Sequence, residues 1–251
     1  MPKSGQIWDS QFLARSPLLA ELQALGHPLL CGSTWPSLDA CSAFVDGARR
    51  EQAPELEPVR FARPSTRNRS QPIDIGQLYD GRIALHAEVP CLGTSYHDLL
   101  NVLVWAAFPR TKRVLHARQY RALSAWLPPG ALRLPNRRTR EQDALALFDE
   151  GGSVLVLPAG AASPLEPARI LLFGHAVMEH VCFEPTALSS AALVVRLEPP
   201  LPAGRELYAA VDRALAARLA DPRELVEPAF DAVLTIEPPD GTRVRLERAA
   251  S

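Results

Sequence analysis

His97, Asn101 and Trp105 stand four residues apart in HDLLNVLVWAAF, a segment that is otherwise almost wholly apolar. A helix puts residues i and i+4 on one face, so imidazole, carboxamide and indole share a stripe, and Asp98 lies three residues before Asn101. A helix this hydrophobic is expected to be buried, and buried polar groups need partners or a cavity. FGHAVMEH repeats the pattern, with His175 and Glu179 four apart. That spacing lets one helix face offer a nitrogen and a carboxylate to a divalent cation, as HExxH does in the other order. A plainer account has Glu179 orienting and neutralising His175. Asp149-Glu150 follow Ala146-Leu147-Phe148 at a helix end, where the macrodipole favours cations. Two carboxylates there need a metal, an arginine or open solvent. Arg110 and Lys112 begin a helix after Phe108-Pro109, and free N–H groups at such a terminus suit a phosphate or other oxyanion. The plainer account of Lys112 is a solvated side chain.

Two functions fit these clusters. In the first, a metal-dependent hydrolase, His97, Asp149, His175 and Glu179 supply nitrogen and oxygen ligands suited to zinc, manganese, iron or magnesium. The metal lowers the pKa of a bound water, and Asp98 or Glu150 acts as general base. Arg110, Lys112 and Arg140 hold the phosphate or carboxylate of a small anionic substrate, while Asn101 and Trp105 shape the pocket. This requires three clusters, distant in sequence, to converge on one solvent-reachable hollow. In the second, the same groups form a buried hydrogen-bond and ion-pair network in a non-enzymatic module that binds a partner or nucleic acid through a basic surface. Direct nucleic-acid binding fits poorly, since Trp105 belongs to a helix that reads as buried and is not displayed beside basic groups. A cysteine hydrolase built on Cys91 lacks both a nucleophile elbow and an activating context.

The elements that must position these residues are short, because 24 of the 251 residues are proline. Ser16-Pro17 and Pro36-Ser37 each open a helix, the first stopped at Gly26. A short strand is expected near Val59–Ala62, and Tyr79–His86 reads as a turn and then a strand. The central helix ends at Pro109, a second runs from Thr111 to Trp126, and Thr139 with Gln142 forms a capping box for a third. Gly151-Gly152 precede a buried strand at 153–157, and Pro167 opens a helix running through ARILLFGHAVMEHVCF. A strand at 191–197, a helix at 205–219 and a hairpin turning at Pro238-Pro239-Asp240-Gly241 complete the chain. Without a regular βαβ alternation the fold class is α+β: a helix-rich single domain, 1–251, with a small mixed or antiparallel sheet and a C-terminal hairpin. Within it, 1–58 is a helical N-terminal part, 79–200 the core carrying the polar clusters, and 201–251 a helix-plus-hairpin extension.

Net charge is −1, yet residues 60–140 hold fourteen basic and four acidic side chains. Only Lys3 and Lys112 among 27 basic residues are lysine, and arginine favours bidentate recognition of phosphate or carboxylate. The basic middle also has acidic flanks with which to pair. The four cysteines have no CxxC spacing, which fits small buried side chains in a reducing compartment and a cytoplasmic location. No apolar run approaches a membrane span, and MPKSGQIWDSQ lacks a secretory signal's apolar stretch.

YDGRI, the Val-Pro at 89–90, HDLLNVLVWAAFPRTK with His116, DALALFDE and LFGHAVME together resemble a bacterial family known as domain of unknown function 3025. The resemblance runs from about Tyr79 to Glu179, with HDLLN…W..FPR.K its most specific part. The chain is similar as a divergent member: Tyr96 stands where the family keeps Trp, Cys91-Leu92 where it keeps Thr-Arg, and the tail after Leu201 departs from the family's ending. The resemblance implies that the polar clusters belong to one pattern, and it implies no activity.

Overall fold

A computed structural model describes residues 6–66, 70–163, 165–184, 186–237 and 243–248. It has eight α-helices and seven strands among these residues, an α+β arrangement. After two 3-10 turns at Phe12–Arg15 and Pro17–Leu19 come α1 (Ala20–Leu30) and α2 (Leu38–Gln52). Strand β1 (Arg60–Ala62) and a 3-10 turn at Ile75–Gln77 lead to α3 (Tyr79–His86) and β2 (Glu88–Pro90). The helices α4 (Tyr96–Ala107), α5 (Pro109–Trp126) and α6 (Arg140–Gly151) follow, then β3 (Gly152–Pro158) and β4 (Arg169–Leu172). The chain continues through α7 (His175–Phe183), β5 (Leu188–Leu197), α8 (Gly204–Ala220), β6 (Ala232–Glu237) and β7 (Arg243–Arg248).

The local signals act as their chemistry dictates. Ser37 and Ser95 accept hydrogen bonds from the backbone N–H groups of Ala40 and Asp98 and so start α2 and α4. Thr139 and Gln142 close the capping box of α6, and Pro109 fills the first position of α5, where its missing N–H costs nothing. Ten of the twelve residues of α4 are buried, which makes it the axis of the core.

Three segments differ from the sequence reading. Tyr79–His86 is helical: Asp80-Gly81 sits in the first helical turn, where an acid suits the dipole. Gly81 permits a backbone approach there, because a Cβ would lie 2.0 Å from the Ile75 carbonyl oxygen. The run after Pro167 begins as strand β4, paired antiparallel with β3, and becomes helical only at His175. A four-residue apolar run carries no period that separates strand from buried helix. In α1 the helix passes through Gly26, whose bare backbone packs against Leu103.

The main sheet has the order β4-β3-β5-β6-β7. β3 and β5 are parallel and every other neighbour pair is antiparallel, so the sheet is mixed. β1 and β2 form a separate parallel pair. β6 and β7 are the expected hairpin, while the turn residues 238–241 lie outside the described set. One large apolar cluster joins α1, α2, α4, α5, α6, α7 and α8 to one face of the main sheet. A small second cluster of Leu155, Leu157, Ala192 and Ala232 covers the other face. This packing brings the first turns of α4 and α7 against the last turn of α6.

Candidate metal centre

His97 lies in the first turn of α4, Glu150 in the last turn of α6, and His175 is the first residue of α7. One ligand atom from each lies within 4.8 Å of the others. His175 Nε2 is 3.3 Å from Glu150 Oε2, and His97 Nε2 is 3.9 Å from the same oxygen. The two imidazoles meet edge to face with centroids 4.4 Å apart. Behind His97, Nδ1 is 3.2 Å from Glu179 Oε2. A carboxylate on the far ring nitrogen fixes the tautomer and aims Nε2 forward, the usual support of a metal-binding histidine.

Glycine makes the convergence sterically feasible. A Cβ on Gly174 would sit 2.3 Å from the Glu150 carbonyl oxygen, and one on Gly152 would sit 2.4 Å from that of Phe148. Phe173 and Gly174 both donate their N–H groups to the Gly152 carbonyl, at 2.9 and 2.8 Å. The start of α7 is thereby tied to the end of α6, which places His175 beside Glu150.

Electrostatics divides the groups. Hydrogen bonding to Glu179 raises the His97 pKa above its ordinary value against the cost of desolvation, and Glu150 adds to the rise. Burial pushes His175 down to about 3, so it stands as a neutral ligand. Burial, then the neighbouring Asp149 charge, raises Glu150. Burial would also raise Asp149, but the charge of the Lys112 ammonium leads the opposing effects, its hydrogen bond adds to them, and Asp149 is held at about 2.

The sequence-derived candidates separate into three groups. His97, Glu150 and His175 come together, with Glu179 behind them. Asp149 does not join as a ligand: Lys112 Nζ donates to its Oδ1 at 2.5 Å, and His116 Nε2 is 4.0 Å from its Oδ2. Lys112 is fully buried in that pair and cannot meet a substrate. Glu150, expected as a base, faces the histidines in the place assigned to Asp149. Asn101 donates to the Tyr79 hydroxyl at 3.0 Å, and Trp105 stacks on His116 at 5.6 Å, so both support the site from behind.

Asp98, Arg110 and Arg140 are elsewhere. Asp98 Oδ2 accepts the N–H groups of Leu92 and Gly93 and secures that loop, facing a different cavity. At the start of α5 the carboxylate of Asp212 accepts the N–H groups of Arg110 and Thr111, at 3.1 and 2.9 Å. The helix terminus read as an oxyanion site thus already holds an anion from α8. The Arg110 side chain donates to Glu55, and that of Arg140 to Glu227. The cysteine alternative gains nothing, since burial and then the Asp98 charge push the Cys91 thiol up to about 12.

Sequence reading missed the groove beside Glu150. It encloses about 480 Å3 and is lined by Tyr79, Asp80, His116, Trp126, Arg137, Arg138 and Asp149 among others. His116 is held by Asp80, with Nδ1 and Oδ1 2.8 Å apart. Arg137 and Arg138 lie on an irregular segment with no periodicity, so the one available signal was their adjacency.

Fold and site together define an α+β protein with two imidazoles and a carboxylate gathered beside an open groove. Residues 66–165 match the family described as protein of unknown function, DUF3025. The match takes in α3 to α6 and β3 and ends before α7, so His97 and Glu150 fall inside it while His175 and Glu179 fall beyond. No curated protein and no solved structure matches the chain.

Proposed function

We propose that the protein is a metal-dependent hydrolase acting on a small anionic substrate, with His97, Glu150 and His175 as the metal ligands. The observation that carries this reading is the three-donor cluster with Glu179 behind His97. Two histidines and one carboxylate are a ligand set of hydrolytic zinc centres and of iron sites with open positions. A bound metal of this kind supplies an activated water and polarises the bond to be cut. The protein's own groups have separate tasks. Glu179 orients His97, the Lys112–Asp149 pair braces the end of α6, and the Arg137–Arg138 rim attracts the anion.

Charge supports the same conclusion. Four carboxylates (Asp80, Asp149, Glu150 and Glu179) surround one lysine and three imidazoles, of which His175 is kept neutral by burial. Asp149 and Asp80 are answered by Lys112 and His116, which leaves Glu150 and Glu179 on the histidine side to face a cation, while Arg137 and Arg138 line the groove side. The alternative, a non-enzymatic binding module with a buried network, draws its support from the inner half of the site, where Lys112–Asp149 and His116–Asp80 are closed pairs. Hydrolysis of 4-nitrophenyl phosphate and 4-nitrophenyl acetate separates the two. The enzyme reading expects turnover of at least one, abolished by EDTA, restored by zinc or manganese, and reduced at least a hundredfold in His175→Ala. Metal-independent turnover, or turnover unchanged in that variant, would contradict it.

A further inference from the structure

The groove beside Glu150 has the volume of a site for one small organic molecule. Its walls differ in chemistry. Leu123, Trp126 and Leu134 line one part, and Trp126 and Leu134 remain 54% and 46% exposed. Large apolar side chains clustered at a concave surface mark a place that something apolar covers. Arg137 and Arg138 line another part, both exposed, and neither makes a hydrogen bond or ion pair among the described residues. Exposed Arg121 and Arg133 are likewise without an ion pair among the described residues, so it is the place on the groove wall, beside Glu150 whose charge Arg138 favours, that sets Arg137 and Arg138 apart. Deeper in, His116 is 1% exposed and lines the same groove, and its Nε2 has no hydrogen-bond partner. A buried polar nitrogen without a partner is costly unless a guest or water meets it.

We infer that this groove binds an amphiphilic organic anion, with an aromatic or short acyl body against Leu123, Trp126 and Leu134 and its phosphate or carboxylate on Arg137 and Arg138. An inorganic anion would leave the apolar wall uncovered, and an uncharged apolar molecule would leave both guanidinium groups unanswered. Guanidinium pairs bind the two oxyanions by the same bidentate geometry, so either headgroup satisfies the chemistry. The inference deepens the hydrolase reading by naming its substrate class and rests on that reading for the bond that is cut. Binding itself needs no metal.

The test is titration calorimetry on the EDTA-treated full-length protein with phenyl phosphate, benzoate, inorganic phosphate and phenol. Phenyl phosphate or benzoate should bind at least tenfold more tightly than phenol, and phenyl phosphate at least tenfold more tightly than inorganic phosphate. The tighter of the two aromatic anions identifies the headgroup. Arg137→Ala/Arg138→Ala, both at exposed positions, should weaken the aromatic anions at least tenfold and leave phenol within twofold. Leu134→Ser should bring phenyl phosphate toward the affinity of inorganic phosphate. His175→Ala, still folded by circular dichroism, should bind phenyl phosphate within twofold of the parent. All four probes within threefold of one another, or no effect of the double arginine substitution, would overturn the inference. Loss of groove binding with metal binding intact removes this inference alone; the reverse removes the metal reading alone.

Discussion

Asp149 meets the Lys112 ammonium inside the protein, while Glu150, one residue on, turns to two imidazoles and keeps about half its side chain in water. The two adjacent acids at a helix end therefore have separate explanations, one a buried cation and the other the histidine cluster. Lys112→Met would leave Asp149 buried without a counter-charge. Breaking one side of such a pair costs about 3–5 kcal/mol, so urea unfolding should show a loss of that order, with much of it recovered in Lys112→Met/Asp149→Asn. Glu179→Gln weakens the acceptor behind His97, and metal affinity by calorimetry should fall about 10–100-fold. The pH dependence of the metal-free chain follows from His175. Its folded pKa of about 3 lies below the ordinary 6.5, so the unfolded chain takes up this proton first as pH falls. Its contribution is present above pH 6.5 and is lost progressively down to about pH 3, amounting to a few kcal/mol. His97 shifts the other way, so its contribution is fully present below pH 6.5 and is lost only as pH rises above that value, outside this window. Stability curves of the parent and His175→Gln should therefore diverge across that window, with the parent falling more steeply.

At the level of elements, the site depends on how closely α7 begins against the end of α6. Gly174→Ala would force a Cβ to 2.3 Å from the Glu150 carbonyl, and only movement of the backbone relieves that contact. The expected outcome is at least a tenfold loss of metal affinity, together with a lower melting temperature in scanning calorimetry. This contact also shows where sequence reading ends. Ser37 and the Thr139–Gln142 box announce helix starts through local hydrogen bonding, Pro109 announces a helix stop by lacking an N–H, and the structure keeps all three. The glycine before His175 announces only flexibility, because the backbone approach that requires it joins segments more than twenty residues apart. Tyr79–His86 is helical for a related reason. Asp-Gly signals a turn locally, but packing of Gly81 on the Ile75 carbonyl decides for helix. The form of strand β4 is determined by pairing with β3, which a four-residue apolar run does not reveal.

Across the whole molecule, the basic middle of the chain is largely consumed by the fold. Arg110 pairs with Glu55, Arg118 with Glu141 and Arg140 with Glu227, so arginine richness there mostly reflects cross-linking of distant segments. Arg63, Arg121, Arg133, Arg137 and Arg138 are exposed with no carboxylate within ion-pair distance among the described residues, and of these Arg137 and Arg138 border the groove. The histidines and the Asp149–Glu150 pair were legible because each is polar where the pattern asks for apolar or cationic residues. Which acid faces the histidines was not legible, since a one-residue difference at a helix end depends on where Lys112 arrives from α5.

The most direct test of the account is metal binding by EDTA-stripped protein, measured by zinc titration with X-ray absorption on the loaded sample. One equivalent should bind with two imidazole nitrogens in the first coordination sphere, and binding should be lost in His97→Ala, Glu150→Ala and His175→Ala but kept in Asp98→Asn. Failure to bind a stoichiometric ion, or a bound ion whose spectrum lacks imidazole and survives His175→Ala, would contradict it.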